Sequence, residues 1–336
     1  MKALVYEGPR QLSLKEVDIP APGPGEIIVK VEAVGICGSE LEGYLGHSSV
    51  RKAPLVMGHE FAGEVAWRAE DAVRIPIGRK VVVNPLISCG QCSKCREGKP
   101  NICRDRRIIG IHRPGAFAEY VAVPESSVRA VPQQMDAALA SLAEPLAVCV
   151  HALKLGLEPL GGLLILGAGP IGLLTLQAAK AMGIGRTLVV DRLPSRLAYA
   201  ERLGSAAAKP EELDSAFLSV FGDDGVDTVI DCVGVRQTRE TAIAKVNSGG
   251  KVILVGLGQD ETALPMNHVV RQEISLIGSY TYSETDFSQA VDLLTSGAIV
   301  RDGWTGACGL SGAAEAFASL ADGTCEYGKM IINPAE

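Results

Sequence analysis

A glycine-rich turn between an apolar run and a helical segment constrains this chain more than any other feature. The turn has the spacing G-x-G-x-x-G, given by Gly167, Gly169 and Gly172, and it directly follows the run Leu163–Leu166. In this pattern the first glycine permits a tight turn, the second lets backbone N–H groups approach a pyrophosphate, and the third lets the helix pack closely on the strand. An acidic residue, Asp191, ends the next apolar run about twenty residues further on, as the pattern requires. The segment is therefore predicted to open a Rossmann dinucleotide-binding domain.

The residues around this turn predict which dinucleotide binds. Pro170 and Ile171 complete the turn, and a proline is tolerated because the first helical positions need no backbone N–H partner. The carboxylate of Asp191 is placed to accept hydrogen bonds from the adenosine ribose hydroxyls and to repel the additional phosphate of NADP. The sequence therefore predicts NAD. NADP is the alternative, because Arg192 follows directly and could hold a 2′-phosphate.

Further apolar runs alternate with helical segments in this half of the chain. Such alternation predicts a parallel, doubly wound sheet with right-handed crossovers. Ligands bind at the carboxyl ends of the strands in such sheets, so Val233, Val255 and Leu257, which lie at the ends of two runs, are predicted to line the nicotinamide half of the site. The predicted strands after the first are 187–190, 226–230, 251–255 and 274–278.

Short β-branched runs alternate with glycine and proline up to about residue 131, which predicts a β-barrel. The stretch 136–157, rich in alanine and leucine, predicts a helix. The chain from residue 283 onward is predicted to be helical until a last strand, 329–332, that pairs back with the first domain. The predicted fold class is α/β, with a β-barrel domain (1–146 and 283–336) and a Rossmann domain (147–282). The barrel strands are predicted at 27–31, 61–65, 80–83 and 117–123.

Four closely spaced cysteines predict a structural metal site. Cys89, Cys92, Cys95 and Cys103 have the spacing C-x2-C-x2-C-x7-C within a stretch that has no hydrophobic period. Four thiolates on a short loop can close around one Zn²⁺. The metal then supplies the folding free energy, because the stretch has too little apolar surface to supply it. The lobe, at about residues 86–107, is therefore predicted to hold a structural zinc.

Composition narrows the classes of partner and compartment. The chain has 336 residues, 47% of them apolar, and a net charge of −7, which argues against nucleic acid as a partner. The amino terminus reaches a glutamate and a glycine-proline pair before a signal-peptide core could develop, and no run is expected to approach membrane-spanning length. An odd count of nine cysteines, four of them in one cluster, favours a reducing compartment. We expect a cytoplasmic protein with no membrane partner.

Five motifs in order give the chain a resemblance to a known family. Taken separately, a lone Cys37 or His59 on a glycine-hinged loop is weak evidence for a ligand. Together with the four-cysteine lobe and the nucleotide fingerprint, however, the chain resembles zinc-dependent medium-chain alcohol or polyol dehydrogenases, of the sorbitol dehydrogenase type, over essentially its full length. The other motifs are Gly35–Glu40, Gly58-His59-Glu60, and Glu144-Pro145-Leu146 with His151-Ala152.

The resemblance implies a GroES-like catalytic domain, a Rossmann domain and a catalytic zinc in the cleft between them. It places Cys37 and His59 on that metal. The third protein ligand is open between Glu60 and Glu144, which could alternate during turnover. Ser39 matches the relay hydroxyl of the family. A further cysteine, Cys149, is expected to be a core residue instead of a ligand.

The implied activity is transfer of a hydride from a secondary alcohol to NAD, with a polyol, sugar acid or sugar-derived diol as the small-molecule substrate. L-Threonine and sugar phosphates are alternatives, as is a zinc-independent quinone or enoyl reductase activity. Arg271 matches a substrate-contacting position, and Tyr44 could add a hydroxyl donor, as could Tyr280 and Tyr282. The run 274–278 resembles the strand that relatives pair across a two-fold axis, which implies a homodimer or homotetramer.

Two positions depart from the family pattern. Relatives read G-I-C-G-S-D-x-H, but this chain has Glu40 in place of the aspartate and Glu42 in place of the histidine that relays protons. Either Glu42 takes over the relay, or protons leave through water and His47.

Overall fold

The computed structural model describes residues 1–156 and 161–336. Contacts within the chain divide it into two compact units, one of Met1–Glu144 with Ser283–Glu336 and one of Pro145–Tyr282. The domain boundaries predicted from the sequence, after residues 146 and 282, lie within two residues of these.

The elements are as follows in chain order. The strands are β1 (Lys2–Gly8), β2 (Gln11–Glu16), β3 (Glu26–Gly35), β4 (Leu55–Val56), β5 (Glu60–Arg68), β6 (Lys80–Val83), β7 (Leu86–Ile87), β8 (Arg107–Ile108), β9 (Tyr120–Pro124), β10 (Val128–Ala130), β11 (Leu163–Leu166), β12 (Thr187–Val190), β13 (Ala206–Ala208), β14 (Val226–Asp231), β15 (Val246–Leu254), β16 (Ser275–Gly278), β17 (Thr305–Gly309) and β18 (Lys329–Asn333). The α-helices are α1 (Gly38–Tyr44), α2 (Ser93–Arg96), α3 (Ala137–Ala140), α4 (Ala143–Gly156), α5 (Pro170–Ala181), α6 (Pro194–Arg202), α7 (Leu213–Phe221), α8 (Arg236–Lys245), α9 (Met266–Arg271), α10 (Glu284–Thr295) and α11 (Ala313–Ala321). Short 3₁₀ helices lie at Pro100–Ile102, Glu125–Ser127, Pro210–Glu212, Gly222–Asp224 and Leu310–Gly312.

Strand β3 is the centre of the first unit. Its β-branched residues are buried along almost its whole length, as expected for a strand covered on both faces. One edge of β3 pairs with β5, and the other edge pairs first with β9 and then with β18. The last strand of the chain therefore returns to the first unit, as the sequence predicted.

The carboxyl-terminal segment differs from its predicted helical character. Strand β17 lies between α10 and α11 and pairs with β18 in parallel. Its sequence, Thr-Gly-Ala-Cys-Gly, has little β-branched or aromatic character, so local propensity gave no sign of it. Tertiary pairing decides the conformation here.

The predicted helix 136–157 is two helices, α3 and α4, interrupted at Ser141 and Leu142; residue 157 lies outside the described residues. Asp136 caps α3 by accepting a hydrogen bond from the N–H of Ala138. The stretch Ala137–Gly156 is long and apolar enough to cross a membrane by length and composition, with a mean hydropathy of 1.4, so the expectation that no run approaches that length was wrong. Its most apolar window is 67% buried inside the protein, as in the core helix of a folded domain.

The second unit contains a six-stranded sheet in the order β13-β12-β11-β14-β15-β16, with every neighbouring pair parallel. The chain runs outward from β11 to β13 and then returns to the other side of β11 at β14. Its strand order therefore reverses between β11 and β14, which is where sheets of this kind bind ligands at the carboxyl ends of their strands. This confirms the predicted Rossmann topology.

Candidate metal centres and dinucleotide site

Three predicted ligands come together at one end of the β3–β5 pair. Cys37 lies two residues after the end of β3, and Glu60 is the first residue of β5, opposite Gly35 in the antiparallel register. The potential ligand atoms of Cys37, His59 and Glu60 all lie within 4.8 Å of one another. A thiol, an imidazole and a carboxylate this close form a donor set that suits a zinc ion with one open position.

A glycine makes this approach possible. Gly58 has a φ of 101°, and a Cβ there would lie 2.7 Å from the backbone nitrogen of Phe117. Any side chain at this position would therefore displace His59 or the neighbouring loop.

Glu40, which the sequence marked only as a departure, holds the ligands in place. Its fully buried carboxylate accepts hydrogen bonds from the His59 Nδ1–H (2.8 Å), the Gly58 N–H (2.8 Å) and the Cys37 N–H (3.0 Å). Burial alone would raise the pKa of Glu40. The neighbouring His59 and Arg51 lower this pKa by more than burial raises it, so the net shift is downward and the carboxylate is held ionised. With Nδ1 engaged, Nε2 is the ring nitrogen that can bind a metal.

Lys329 is a second residue that sequence reasoning missed. Its ammonium, on β18, forms a buried ion pair with the Oε2 of Glu60, and both side chains are 2% exposed. Burial would lower the pKa of Lys329, but Glu60 and then Cys37 raise it, and the net shift is upward. In the sequence, the sign of this buried ion pair was a single lysine at the start of an apolar strand.

Replacing Lys329 with methionine is expected to lower the free energy of unfolding by about 3–5 kcal/mol, because Glu60 would remain as a buried charge without its partner. Urea denaturation of the metal-free protein would measure this change. Combining Lys329→Met with Glu60→Gln should recover most of the loss. As a matched control, Lys80→Met removes a lysine whose partner, Glu32, is 34% exposed, and this change should cost about 1 kcal/mol or less. Equal losses for the two lysines would contradict the prediction.

The remaining residues predicted for this site are placed as follows. The Ser39 hydroxyl lies 3.4 Å from the Cys37 Sγ and donates to it. Glu144 is 7% exposed in the first turn of α4 and is not a member of the three-residue ligand group, so its role as a ligand stays a prediction. Tyr44 is packed in the core, its ring 5.6 Å from that of Phe317, and its contact with substrate also stays a prediction.

The two alternatives for the proton relay prove to be one pair. His47 Nδ1 and Glu42 Oε2 are 3.0 Å apart, and both side chains are more than half exposed. Either group could exchange protons with water, and replacing one of them would remove the hydrogen-bond partner of the other.

The four cysteines of the lobe form the second ligand group. Their sulfur atoms lie within 4.8 Å of one another, and four of the pairs are 3.5 to 4.0 Å apart. Tetrahedral zinc with Zn–S bonds of about 2.3 Å requires S–S separations of about 3.8 Å. A backbone hydrogen bond from Cys95 lowers the pKa of Cys92 to about 6. The donor set therefore fits the predicted structural zinc.

The glycine-rich turn has the geometry that its spacing predicted. Gly167 has a φ of 101°, and a Cβ on Gly172 would lie 1.8 Å from the carbonyl oxygen of Gly167. A Cβ on Gly169 would meet nothing within 4 Å, so this face of the turn is open for a ligand. Pro170 is the first residue of α5, and Ile171 follows it. The amino terminus of α5 can thus accept a pyrophosphate.

Asp191 connects the turn to the end of β12. It accepts hydrogen bonds from the N–H groups of Ala168 (2.8 Å) and Leu193 (2.9 Å). Arg192 is exposed beside it, and the guanidinium of Arg196, which the sequence reasoning did not single out, lies 3.7 Å from the Asp191 carboxylate. Two arginines therefore flank the predicted ribose-binding acid.

The residues predicted for the nicotinamide half lie on two loops that contact each other. The N–H of Gly258 donates to the carbonyl of Val233 (3.1 Å), and the side chains of Val233 and Leu257 are 37% and 83% exposed, while Val255 is half-buried. Arg271 is exposed at the end of α9 in the same unit. Cys149 is fully buried, as expected of a core residue.

Comparison with known proteins gives matches over both units. Residues 23–133 match the family described as "Alcohol dehydrogenase GroES-like domain", and residues 170–296 match "Zinc-binding dehydrogenase". The chain is 33% identical over 309 residues to a sorbitol dehydrogenase of Bacillus subtilis (strain 168), a match that covers 89% of this chain and 87% of that protein. It is 32% identical over 306 residues to an L-galactonate-5-dehydrogenase of Escherichia coli (strain K12), covering 90% of this chain and 89% of that protein.

A solved structure shows the same fold. The zinc-binding dehydrogenase of Sinorhizobium meliloti 1021, bound to NADP, superposes with a TM-score of 0.90 at 33% identity and covers 99% of both chains. These matches confirm the GroES-like and Rossmann assignment made from the motifs.

Proposed function

Because the chain belongs to the zinc-binding alcohol dehydrogenase family, we propose that it oxidises a secondary alcohol of a polyol or sugar acid by hydride transfer to NAD. The observation that carries this proposal is the group of Cys37, His59 and Glu60, whose ligand atoms lie within 4.8 Å of one another. The enzyme acts on CH–OH donors, and it uses a zinc ion and a nicotinamide cofactor.

The residues of the first unit have separate roles in this chemistry. Zinc bound to Cys37, His59 and Glu60 would supply a Lewis acid that favours ionisation of a substrate hydroxyl. Glu40 fixes the His59 ring through its Nδ1–H, and the hydroxyl of Ser39 would accept a hydrogen bond from the substrate. Glu144 remains the alternative third ligand. The exposed pair of Glu42 and His47 offers an exit for the proton to water.

The second unit would bind the cofactor. The open face at Gly169 and the amino terminus of α5 would bind the pyrophosphate, and Asp191 would accept hydrogen bonds from the ribose hydroxyls. We favour NAD because the Asp191 carboxylate would repel a 2′-phosphate. Arg192 and Arg196 beside it, together with the NADP in the Sinorhizobium meliloti structure, support NADP as the alternative.

A sugar-type substrate is supported by the relatives, which are named for sorbitol and L-galactonate. Arg271 and Tyr44 are the proposed substrate-contacting residues. We also propose that the enzyme is cytoplasmic and forms a homodimer or homotetramer through β16, which is an edge strand of its sheet and could pair with the same strand of a second copy.

The test is a panel of alcohols assayed by the absorbance of the reduced nicotinamide. Zinc-loaded protein is given NAD, and separately NADP, with polyols, sugar acids, sugar phosphates, L-threonine and simple alcohols. We expect turnover with NAD on a polyol or sugar acid, and loss of turnover after chelation. Turnover restricted to L-threonine or to simple alcohols would contradict the substrate class, and turnover that survives removal of all metal would contradict the mechanism.

A further inference from the structure

A buried arginine lies beside the Ser39 hydroxyl. The side chain of Arg51, from the loop between α1 and β4, reaches back over α1 and is 7% exposed as a residue. Its Nη1 donates to the backbone carbonyl of Ser39 (2.6 Å), and its Nη2 donates to the Ser39 Oγ (3.1 Å). Burial of a guanidinium is costly, and the charge of the neighbouring Glu40 carboxylate offsets part of that cost. Both hydrogen bonds of the guanidinium nevertheless go to Ser39.

The helix is shaped to admit this side chain. A Cβ on Gly43, in the last turn of α1, would lie 2.6 Å from the Cδ of Arg51 and 3.3 Å from its Nε. Glycine in a helix interior is unfavourable relative to alanine, so its presence here is explained by the room that Arg51 needs.

The hydrogen bonds of Ser39 leave one position free. A hydroxyl has one proton and two acceptor lone pairs. The Ser39 proton is donated to the Cys37 Sγ at 3.4 Å, and one lone pair accepts from Arg51. The second lone pair is left, and it can only accept a hydrogen bond.

We infer that Arg51 is a positioning residue that holds the Ser39 hydroxyl as an acceptor for the hydroxyl of the alcohol substrate. The inference rests on the proposed function and adds to it a residue that selects the orientation of the relay hydroxyl. Without Arg51 the Ser39 hydroxyl could rotate and donate to the substrate oxygen, and the substrate hydroxyl would lose its acceptor. As Ser39 takes up the substrate proton, its own proton passes to solvent, which reaches Ser39 because this residue is exposed. Arginine stays charged throughout the working pH range, so this orientation is fixed.

The first test is a double-mutant cycle in kcat for an alcohol that the wild-type enzyme oxidises. Ser39→Ala is expected to lower kcat about 100-fold, and Arg51→Met about 10-fold. If Arg51 acts through Ser39, the double variant should match Ser39→Ala within about twofold, because coupled residues do not show additive losses. Losses that multiply to about 1000-fold would overturn the inference.

Two further variants separate position from charge. Arg51→Lys keeps the charge but lacks the planar fork, so it should recover only part of the loss, and full recovery would contradict the role of the fork. Gly43→Ala keeps Arg51 and favours the helix, but its methyl group would displace the guanidinium. It should lower kcat as Arg51→Met does, with KM changed much less, and it remains informative if Arg51→Met does not fold.

A spectroscopic readout distinguishes failure of this inference from failure of the proposed function. With Co²⁺ in place of the catalytic metal, the thiolate-to-metal absorption band reports the hydrogen bond from Ser39 to Cys37. Arg51→Met should shift this band as Ser39→Ala does, and the double variant should shift it no further. An unchanged band in Arg51→Met would overturn the inference even if no alcohol is oxidised, whereas absence of turnover by the wild-type enzyme would count against the proposed function alone.

Discussion

Cys37→Ala is expected to lower kcat/KM by about 1000-fold or more and to remove one of two zinc ions from each chain. The thiolate is one of three proposed ligands in the group, and a metal bound there would stabilise the ionised alcohol by several kcal/mol. Each factor of ten in rate corresponds to about 1.4 kcal/mol. Steady-state kinetics with the substrate found by the panel, and zinc content by atomic absorption, measure the two effects.

The matched control is Cys308→Ala, which removes another free, partly buried cysteine of the same unit, on β17. It should retain two zinc ions and turn over at a rate close to wild type. The unfolding midpoint of Cys37→Ala in metal-free protein should stay close to that of the metal-free wild type, because Cys37 is only partly buried. Retention of both zinc ions and turnover within tenfold of wild type would show that Cys37 is not a ligand.

Features whose physical cause is local were predictable from the sequence. The turn at Gly167 and Gly172 is specified by backbone sterics within a few residues, so its spacing alone predicted both its conformation and its place after β11. The four cysteines are likewise close in sequence, and their spacing predicted a cluster whose sulfurs lie near tetrahedral separations. The change from short β-branched runs to apolar runs that alternate with helical segments predicted the two domains.

Features that depend on distant pairing were not predictable in the same way. Lys329 and Glu60 are 269 residues apart and meet only because β18 returns to β3. Strand β17 has no strand-like composition and exists because β18 is available as a partner. The role of Glu40 had a local signal, since it lies three residues after Cys37 at the start of α1, where a glutamate can reach back to the backbone.

Arg51 is the clearest example of a residue whose position could not be predicted from the sequence. In the sequence it is one of many basic residues, next to a lysine on a polar loop, and nothing in its neighbours indicates burial. Its contact with Ser39 requires both the turn of α1 and the missing Cβ of Gly43. Sequence reasoning singled out Ser39 but not Arg51, whose guanidinium donates to it.

Cys103→Ser is expected to open the four-cysteine lobe. The lobe contains only the four-residue helix α2, one short 3₁₀ helix and the two-residue strands β7 and β8, so it has little apolar surface to bury. Structural zinc sites of this kind supply about 10–16 kcal/mol of binding free energy that is also folding free energy. Because a serine hydroxyl is a poor zinc ligand and Cys103 is the most buried of the four, the lobe should lose both its metal and its structure.

Limited proteolysis with trypsin measures this opening, since the lobe offers several cleavage sites for the enzyme. Cys103→Ser should retain one zinc ion per chain and be cleaved within the lobe at least about 100-fold faster than wild type, a factor that corresponds to about 2.7 kcal/mol of lost local stability. Cys325→Ser, at a partly buried cysteine outside both ligand groups, should keep two zinc ions and the trypsin resistance of wild type. A Cys103→Ser protein that keeps both zinc ions and resists trypsin would show that three thiolates are enough, and that the fold of the lobe does not depend on the complete set. The sites are Lys94, Arg96, Arg104, Arg106 and Arg107, whereas Lys99 precedes Pro100 and is not cleaved.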